Sequence, residues 1–481
     1  MLDAVSARSF RPPAPIPREQ RLGLVGLIRA LRDNPLETWT APFFEQLVVT
    51  ECLPFGRAIA ISDPGAIERV LLDNAANYRK DTLQRRIISK GLSNGLLTAE
   101  DEQWRVQRRT LAPLFSRRRI QSFAPTMMQV ADTYVARWSR RESESIDMAA
   151  EMTRVTLDVL QRTIFSDGLG HDIERFRSAM RTYFDTIGRI DPFDMLGVPD
   201  IVPRRTRLSV RGALRFFDNA VDTIIANRRK RLADNSARVE RDILTLLLEA
   251  HDPETGRGLG EREVKANIIT FIAAGHETTA NALAWSLFLL SQSPQWSRRV
   301  AAEAERYAAV PAESAADRMI ETRAVVEEAL RLYPSLPAIS REAIGPDELA
   351  GHRVRPGEMV VIAPYVLHRH RRLWERPDHF DPGRFLPGAR ERIGRYTYLP
   401  FGAGPRICIG AAFALQEATL VLSAIMRNFR IALAPGTTVW PLQRLTLRPR
   451  GGLPMLLTLR RASRAASRAG AGRGATPADA A

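Results

Sequence analysis

One segment of this 481-residue chain gathers the residue types that hold a reactive sulfur: FGAGPRICIG, residues 401–410. Cys408 precedes AAFALQEATLVLSAIMRNF, an apolar pattern at helical spacing, so the thiol stands at a helix start where partial positive charge favours thiolate. Gly402 and Gly404 permit the positive torsions of a tight loop whose amides turn back toward the sulfur. Arg406 can offer a forked donor to a carboxylate. A thiolate so placed is a metal ligand; a buried structural cysteine ahead of a core helix is the alternative.

A second concentration is AAGHETT, in the middle of the longest helical pattern, residues 261–291, which Pro294 stops. Polar groups are costly in an apolar core helix unless they have a partner or a task. Ala274 and Gly275 leave room for a ligand beside the backbone, and Gly275 weakens the helix enough for a local bulge. Glu277 and Thr278 can relay protons, the alternative for the threonine being a bond to its own helix carbonyl. His276 and Glu277 begin the zinc pattern H-E-x-x-H, but Ala280 stands where the second histidine is required. His276 is expected to turn away from the site.

Three further spacings involve charge. Glu328 and Arg331 lie at i and i+3 on a helix ended by Pro334, with Arg384 downstream in FDPGRF. Trp104 and Arg108 lie one helical turn apart in WRVQRR, and Arg341 sits in AISREA. Taken singly, each arginine reads as a solvated surface charge.

Written as F-x-x-G-x-R-x-C-x-G, the cysteine segment resembles in full the heme-binding loop of the cytochrome P450 superfamily. AGHETT is similar to that family's A-G-x-[D/E]-T-T motif, Glu328, Arg331 and Arg384 to its Glu-Arg-Arg triad, and Trp104 with Arg108 to its W-x-x-x-R helix. The resemblance implies heme b with Cys408 as axial thiolate ligand, in a site that includes Ala274, Gly275, Phe401, Gly402 and Gly410. Phe401 would shield the sulfur, while Trp104, Arg108, Arg341 and Arg406 would meet the heme propionates. Thr278 would bond dioxygen and Glu277 connect it to solvent, and the triad would be structural.

The implied reaction inserts one atom of O2 into a small lipophilic substrate. Only 73 residues follow Cys408, so the electrons are expected from a separate ferredoxin or flavodoxin with its reductase. The expected substrate pocket is Leu96, Leu97, Phe271, Ala274, Leu336, Ala338 and Ile339, residue types that also make ordinary core. Arg85 and Arg86 are candidates for holding a substrate carboxylate. Rival readings keep the heme as a peroxygenase, isomerase, dehydratase or nitric oxide reductase, or as a non-enzymatic carrier or gas sensor. Glu277 beside Thr278 favours reductive oxygen activation.

The rest of the chain has to position these residues. With 45% hydrophobic and 26% charged residues it can build a large core, and no linker interrupts it. The expectation is a proline-rich flexible leader over 1–20, one α+β, mostly helical domain with small sheets over 21–458, and a disordered basic tail over 459–481. Strands are expected around residues 56–64, in HRVRPGEMVVIAPYVLH, and on either side of Gly451 and Gly452.

The net charge of +16 is scattered, without a nucleic-acid recognition pattern. It reads as a solvated basic surface, or in part as a dock for an acidic electron donor through Arg117, Arg118, Arg119, Arg390, Arg392 and Arg395. Cys52 and Cys408 imply no disulfide framework, and no segment reaches the ~18 apolar residues of a membrane span. LGLVGLIRAL, residues 22–31, is a short helix that either packs on the body or touches a membrane surface. A cytoplasmic monomer is expected.

Overall fold

The computed structural model describes residues 10–53, 56–81, 94–141, 144–166, 205–234 and 241–460, with Ala179 and Thr182. Its principal helices are α1 (Leu24–Asp33), α2 (Asp101–Leu111), α3 (Arg117–Ser122), α4 (Ala124–Ser139), α5 (Met148–Ile164) and α6 (Arg205–Ala233). They continue as α7 (Ile243–Glu249), α8 (Glu261–Ser291), α9 (Pro294–Arg306), α10 (Ala312–Arg318), α11 (Ile320–Leu332) and α12 (Ala411–Asn428). The strands are β1 (Val48–Leu53), β2 (Gly56–Ile61), β3 (Tyr78–Arg79), β4 (Ser145–Asp147), β5 (Ile339–Ala343) and β6 (Asp347–Leu349). They end with β7 (His352–Val354), β8 (Met359–Ile362), β9 (Phe429–Leu433), β10 (Pro441–Gln443), β11 (Leu447–Pro449) and β12 (Pro454–Leu459).

The long helix α8 is the axis of the body. It starts at Gly260, whose N–H donates to the Glu263 carboxylate at 2.9 Å, and it ends before Pro294, as the pattern predicts. Almost every side of it is covered, with Leu283, Trp285, Leu287 and Leu289 fully buried against α5, α11 and α12. Trp285 stacks on Tyr333 with ring centroids 3.8 Å apart.

Beside the helices lies a five-stranded sheet in the order β1-β2-β8-β5-β3, whose β2 and β8 pair in parallel, Ala58 opposite Met359. The strands expected around Gly451 and Gly452 are β11 and β12, but they do not pair with each other. β11 pairs with β10, and β12 joins β4 and β9. Between them both glycines have positive φ, and a Cβ on Gly452 would lie 2.5 Å from the Asp147 carboxylate. Asp147 there caps α5 through the amides of Ala149 and Ala150.

The leader expected to be flexible over 1–20 is fixed from Phe10 onward. Phe10 packs edge-on to Phe288, the Pro13 carbonyl accepts from the Tyr333 hydroxyl at 2.8 Å, and the Arg18 carbonyl accepts from Ala41 N–H at 2.8 Å. A hydrophobic ring and two bonded backbone acceptors, one of them on the buried Tyr333, outweigh the proline-rich composition. In α1, Val25 and Ile28 are exposed.

Candidate active site

The Cys408 loop has the geometry its glycines foretell. Gly402 and Gly404 adopt φ of 72° and 70°, and the loop closes through Cys408 N–H donating to the Phe401 carbonyl at 2.9 Å. A Cβ on Gly404 would lie 1.7 Å from the Leu71 carbonyl oxygen, so no other residue fits. Gly410, by contrast, caps α12 with an ordinary φ of −90°. Phe401 is half-buried and packs against the main core.

Cys408 carries accessible surface although protein surrounds it on all sides, so its thiol faces an internal space and not the bulk. Burial pushes the thiol pKa up, and the Gly410 amide and the charge of Arg108 only partly oppose this. The loop amide thus favours thiolate as expected, while desolvation, which the sequence does not show, acts against it. A thiol so enclosed ionises against a positive centre bound to it, which is the situation of a metal ligand.

Four chain segments close a ring around that space. The Leu96 N–H donates to the Asn267 side chain on α8 at 2.8 Å, and a Cβ on Gly95 would collide with the Ala266 carbonyl at 2.6 Å. Ala99 offers its carbonyl to Arg406 at 3.1 Å, tying this turn to the cysteine loop. The methyl end of Ile339 is the nearest side chain to a Cβ at Gly402, at 3.9 Å. Ser335 returns to α8 by donating to the Thr278 carbonyl at 2.8 Å. Leu97 and Leu336 are exposed on this ring and Ala338 is half-buried; Leu96 and Phe271 are buried, the latter edge-on to Phe115. Arg85 and Arg86 lie outside the described residues.

Along α8 the ring is open at one stripe. Ala274 is exposed and Gly275 and Thr278 are half-exposed, while Ala273, His276, Glu277 and Thr279 are buried. The Thr278 hydroxyl donates to the Ala274 carbonyl at 2.7 Å, the back-bonded arrangement. The helix runs through Gly275 as unbroken α-helix, so the expected bulge is absent. This glycine instead lets α5 approach, since a Cβ would stand 3.1 Å from Leu160. Glu277 points to the residue just ahead of β11, its Oε1 accepting from the Thr446 hydroxyl at 2.8 Å. His276 is turned into the core, bonded to the Ile272 carbonyl at 2.9 Å, and burial lowers its pKa to about 4.

At the edge of the ring the cations converge. Arg406 lies over the Trp104 ring at 4.4 Å and pairs with Glu100. Burial, and then the charge of Arg406, pushes Arg341 down to about 10 and Lys80 down to about 8. Lys80 is itself 3.3 Å from the Glu100 carboxylate. Arg108 is lowered by burial and feels Cys408. Such mutually repelling, partly desolvated cations call for a further anion, and a porphyrin with two carboxylates beside a cysteine fits this donor set. Lys80 and Glu100 were not legible in the sequence, for neither belongs to a periodic pattern; the only signal was the charged run YRKD.

The triad is assembled beneath. Arg331 and Glu328 are fully buried and joined by two bonds, Nε to Oε2 at 2.7 Å and Nη2 to Oε1 at 2.8 Å. The remaining Arg331 donors reach the carbonyls of His368, Pro377 and His379. Arg384 stands 3.8 Å from Glu328, with its Nε buried and without a hydrogen-bond partner, so it contributes charge and no hydrogen bond to the pair. Of the arginines proposed as a dock, Arg390 turns inward over Phe385 and Tyr398 and lies 3.4 Å from Glu327, while Arg117, Arg118, Arg392 and Arg395 are exposed.

A helical body around a central helix, with a cysteine loop on one side and an acid-alcohol pair on the other, defines a heme-thiolate oxygenase. The family model described as Cytochrome P450 matches residues 17–455, and the chain belongs to that family. It is 34% identical to "Cyclooctatin synthase" of Streptomyces melanosporofaciens, over 80% of this chain and 83% of that one. It is 32% identical to "Cyclooctat-9-en-7-ol 5-monooxygenase" of the same organism, over 86% and 89%. The heme domain of cytochrome P450DA superposes with a TM-score of 0.81 at 27% identity, covering 94% of this chain and 99% of that one. The protein is accordingly an oxidoreductase that incorporates oxygen, with a heme-thiolate cofactor, a redox partner and lipophilic substrates. Among the described residues no helix is long and apolar enough to cross a membrane.

Proposed function

We propose that this chain binds heme b through Cys408 and uses O2 to oxygenate a small lipophilic molecule in the ring formed by residues 94–100, α8, residues 335–341 and the cysteine loop. The observation that carries the reading is the enclosed Cys408 thiol set beside Arg108, with Arg341, Arg406 and Lys80 clustered at the ring's edge. Heme, when bound, supplies the oxygen activation itself.

The chain's own residues set the conditions. Cys408 contributes an electron-rich sulfur, and Trp104, Arg108, Arg341, Arg406 and Lys80 hold the carboxylates that fix the ring's orientation. Glu277 holds the proton that Thr278 passes inward. Leu96, Leu97, Phe271, Ala274, Leu336, Ala338 and Ile339 exclude water and select for apolar substrates. The relative named for cyclooctat-9-en-7-ol, an unsaturated alcohol by its name, supports that substrate class. A ferredoxin or flavodoxin with its reductase supplies electrons to a cytoplasmic monomer, a reading supported by the exposed cations on α3, which packs against α12 behind the cysteine loop.

Reduced protein under carbon monoxide tests the central assignment. A thiolate-type Soret band is expected from the intact chain and none from Cys408→Ala; a band that survives the substitution refutes it. Screening apolar compounds for a high-spin shift of the heme absorption then reports the substrate class.

A further inference from the structure

The turn that carries Leu96 and Leu97 into the ring is held from behind by two amide side chains that no motif announces. Gln107 on α2 and Asn267 on α8 are both fully buried. Asn267 Oδ1 accepts from the Leu96 N–H at 2.8 Å, and its Nδ2 donates to the Glu263 carbonyl at 2.8 Å and to Gln107 Oε1 at 3.1 Å. Gln107 Nε2 donates to the Asn94 carbonyl at 2.9 Å. The two backbone groups of the turn fix which way each amide points. An N–H demands the Asn267 oxygen and a carbonyl demands the Gln107 nitrogen, so the remaining ends meet as donor and acceptor.

Asn267 stands four residues before Phe271 and seven before Ala274, on the stripe of α8 that lines the ring. A Cβ on Gly95 would stand 2.5 Å from the Thr270 hydroxyl, so the turn lies directly on the helix. At its other end the Ala99 carbonyl accepts from Arg406 at 3.1 Å and from Lys80 Nζ at 3.3 Å. The turn is thus a strap, with one end on the cations and the other on the amide pair.

We propose that Gln107 and Asn267 are positioning residues that select substrate by size: they hold Leu96 and Leu97 against the Phe271–Ala274 stripe and so set the width of the pocket without touching its contents. The inference rests on the reading of those side chains as pocket lining over heme. Each amide acts through the strap. Loss of Gln107 releases Asn94, and loss of Asn267 leaves the buried Leu96 N–H without its acceptor. In both cases the strap lifts from α8, so a slim molecule loses contacts and a bulky one gains room.

The test uses the heme-loaded full chain, its Gln107→Met and Asn267→Leu variants and the double variant. The probes are N-methylimidazole, N-octylimidazole and N-adamantylimidazole, which coordinate heme iron through nitrogen and shift its absorption. N-methylimidazole should bind all the proteins alike. The ratio of the octyl to the adamantyl dissociation constant should rise about tenfold in each single variant, the effect of one buried hydrogen bond. The double variant should add little to either, since each loss frees the same strap. Hydrogen exchange read by mass spectrometry should locate the change: amides of residues 94–99 exchange about tenfold faster, while those of residues 281–291 keep the parent rate.

A ratio within about twofold of the parent's, in variants that bind N-methylimidazole normally, overturns the inference and leaves the pocket reading standing. No spectral shift from the parent chain with any of the three probes overturns the heme reading, and the inference with it. Should Asn267→Leu not load heme, Gln107→Met decides by the same ratio and exchange rates, because it leaves Asn267 bonded to the Leu96 N–H and the Glu263 carbonyl. If Gln107→Met also fails to load heme, the pair is structural and the inference is refuted.

Discussion

Glu328→Ala is the perturbation whose size the structure fixes best. The substitution leaves Arg331 fully buried with three carbonyl acceptors but no counter-charge, and it strips the Asp381 amide of its acceptor at 2.8 Å. Breaking a buried ion pair from one side costs about 3–5 kcal/mol. That is a large share of the ~5–15 kcal/mol that stabilises a typical fold. Arg384→Ala is the internal control: the guanidinium is 3.8 Å away without a bond to the pair, and its loss should cost about 1 kcal/mol or less. Denaturant titration of the heme-free chains by circular dichroism measures both. Arg331, which holds the carbonyls of residues 368–379 ahead of the cysteine loop, loses the carboxylate that orients it, so Glu328→Ala should also fail to take up heme. A Glu328→Ala chain that loses no more stability than Arg384→Ala, or that binds heme normally, refutes the reasoning.

Gly404→Ala should abolish the thiolate-type Soret band while leaving the helical circular dichroism intact, because the new methyl group meets the Leu71 carbonyl and the φ of 70° is strained. A normal carbon monoxide spectrum from that variant would contradict it. His276, lowered to about 4 by burial, makes the fold acid-labile. Below about pH 6.5 the unfolded chain binds a proton that the folded His276 refuses until about pH 4, so stability present above that window is lost within it, by about 3 kcal/mol at most. His368, lowered to about 3, acts in the same direction. Between pH 7 and pH 4.5, His276→Gln should therefore lose about 2–3 kcal/mol less than the parent chain in denaturant titrations; equal losses would reject the argument.

The parts legible in the sequence were those written in local pattern. The limits of α8 follow from an apolar pattern at helical spacing between Gly260 and Pro294, and the cysteine loop follows from glycines where the backbone needs positive φ. The Glu328–Arg331 pair was legible because both residues share one helix face. What escaped was polar and distant. Thr446 meets Glu277 from 169 positions away, and Asn267 meets Gln107 from 160, each a single side chain in a segment without a distinguishing period. The desolvation of the Cys408 thiol escaped for another reason: helix start and loop amides are visible in sequence, whereas the burial that acts against them exists only once the ring has closed.

The parallel pairing of β2 with β8 joins stretches about three hundred residues apart, and β4 waits for β12 across a similar span. On a ribosome that adds residues from the N-terminus, neither sheet can close until the last quarter of the polypeptide has emerged. The early helices must then wait with apolar faces uncovered, which makes the nascent chain a natural client for chaperones and restricts cofactor capture to the end of synthesis.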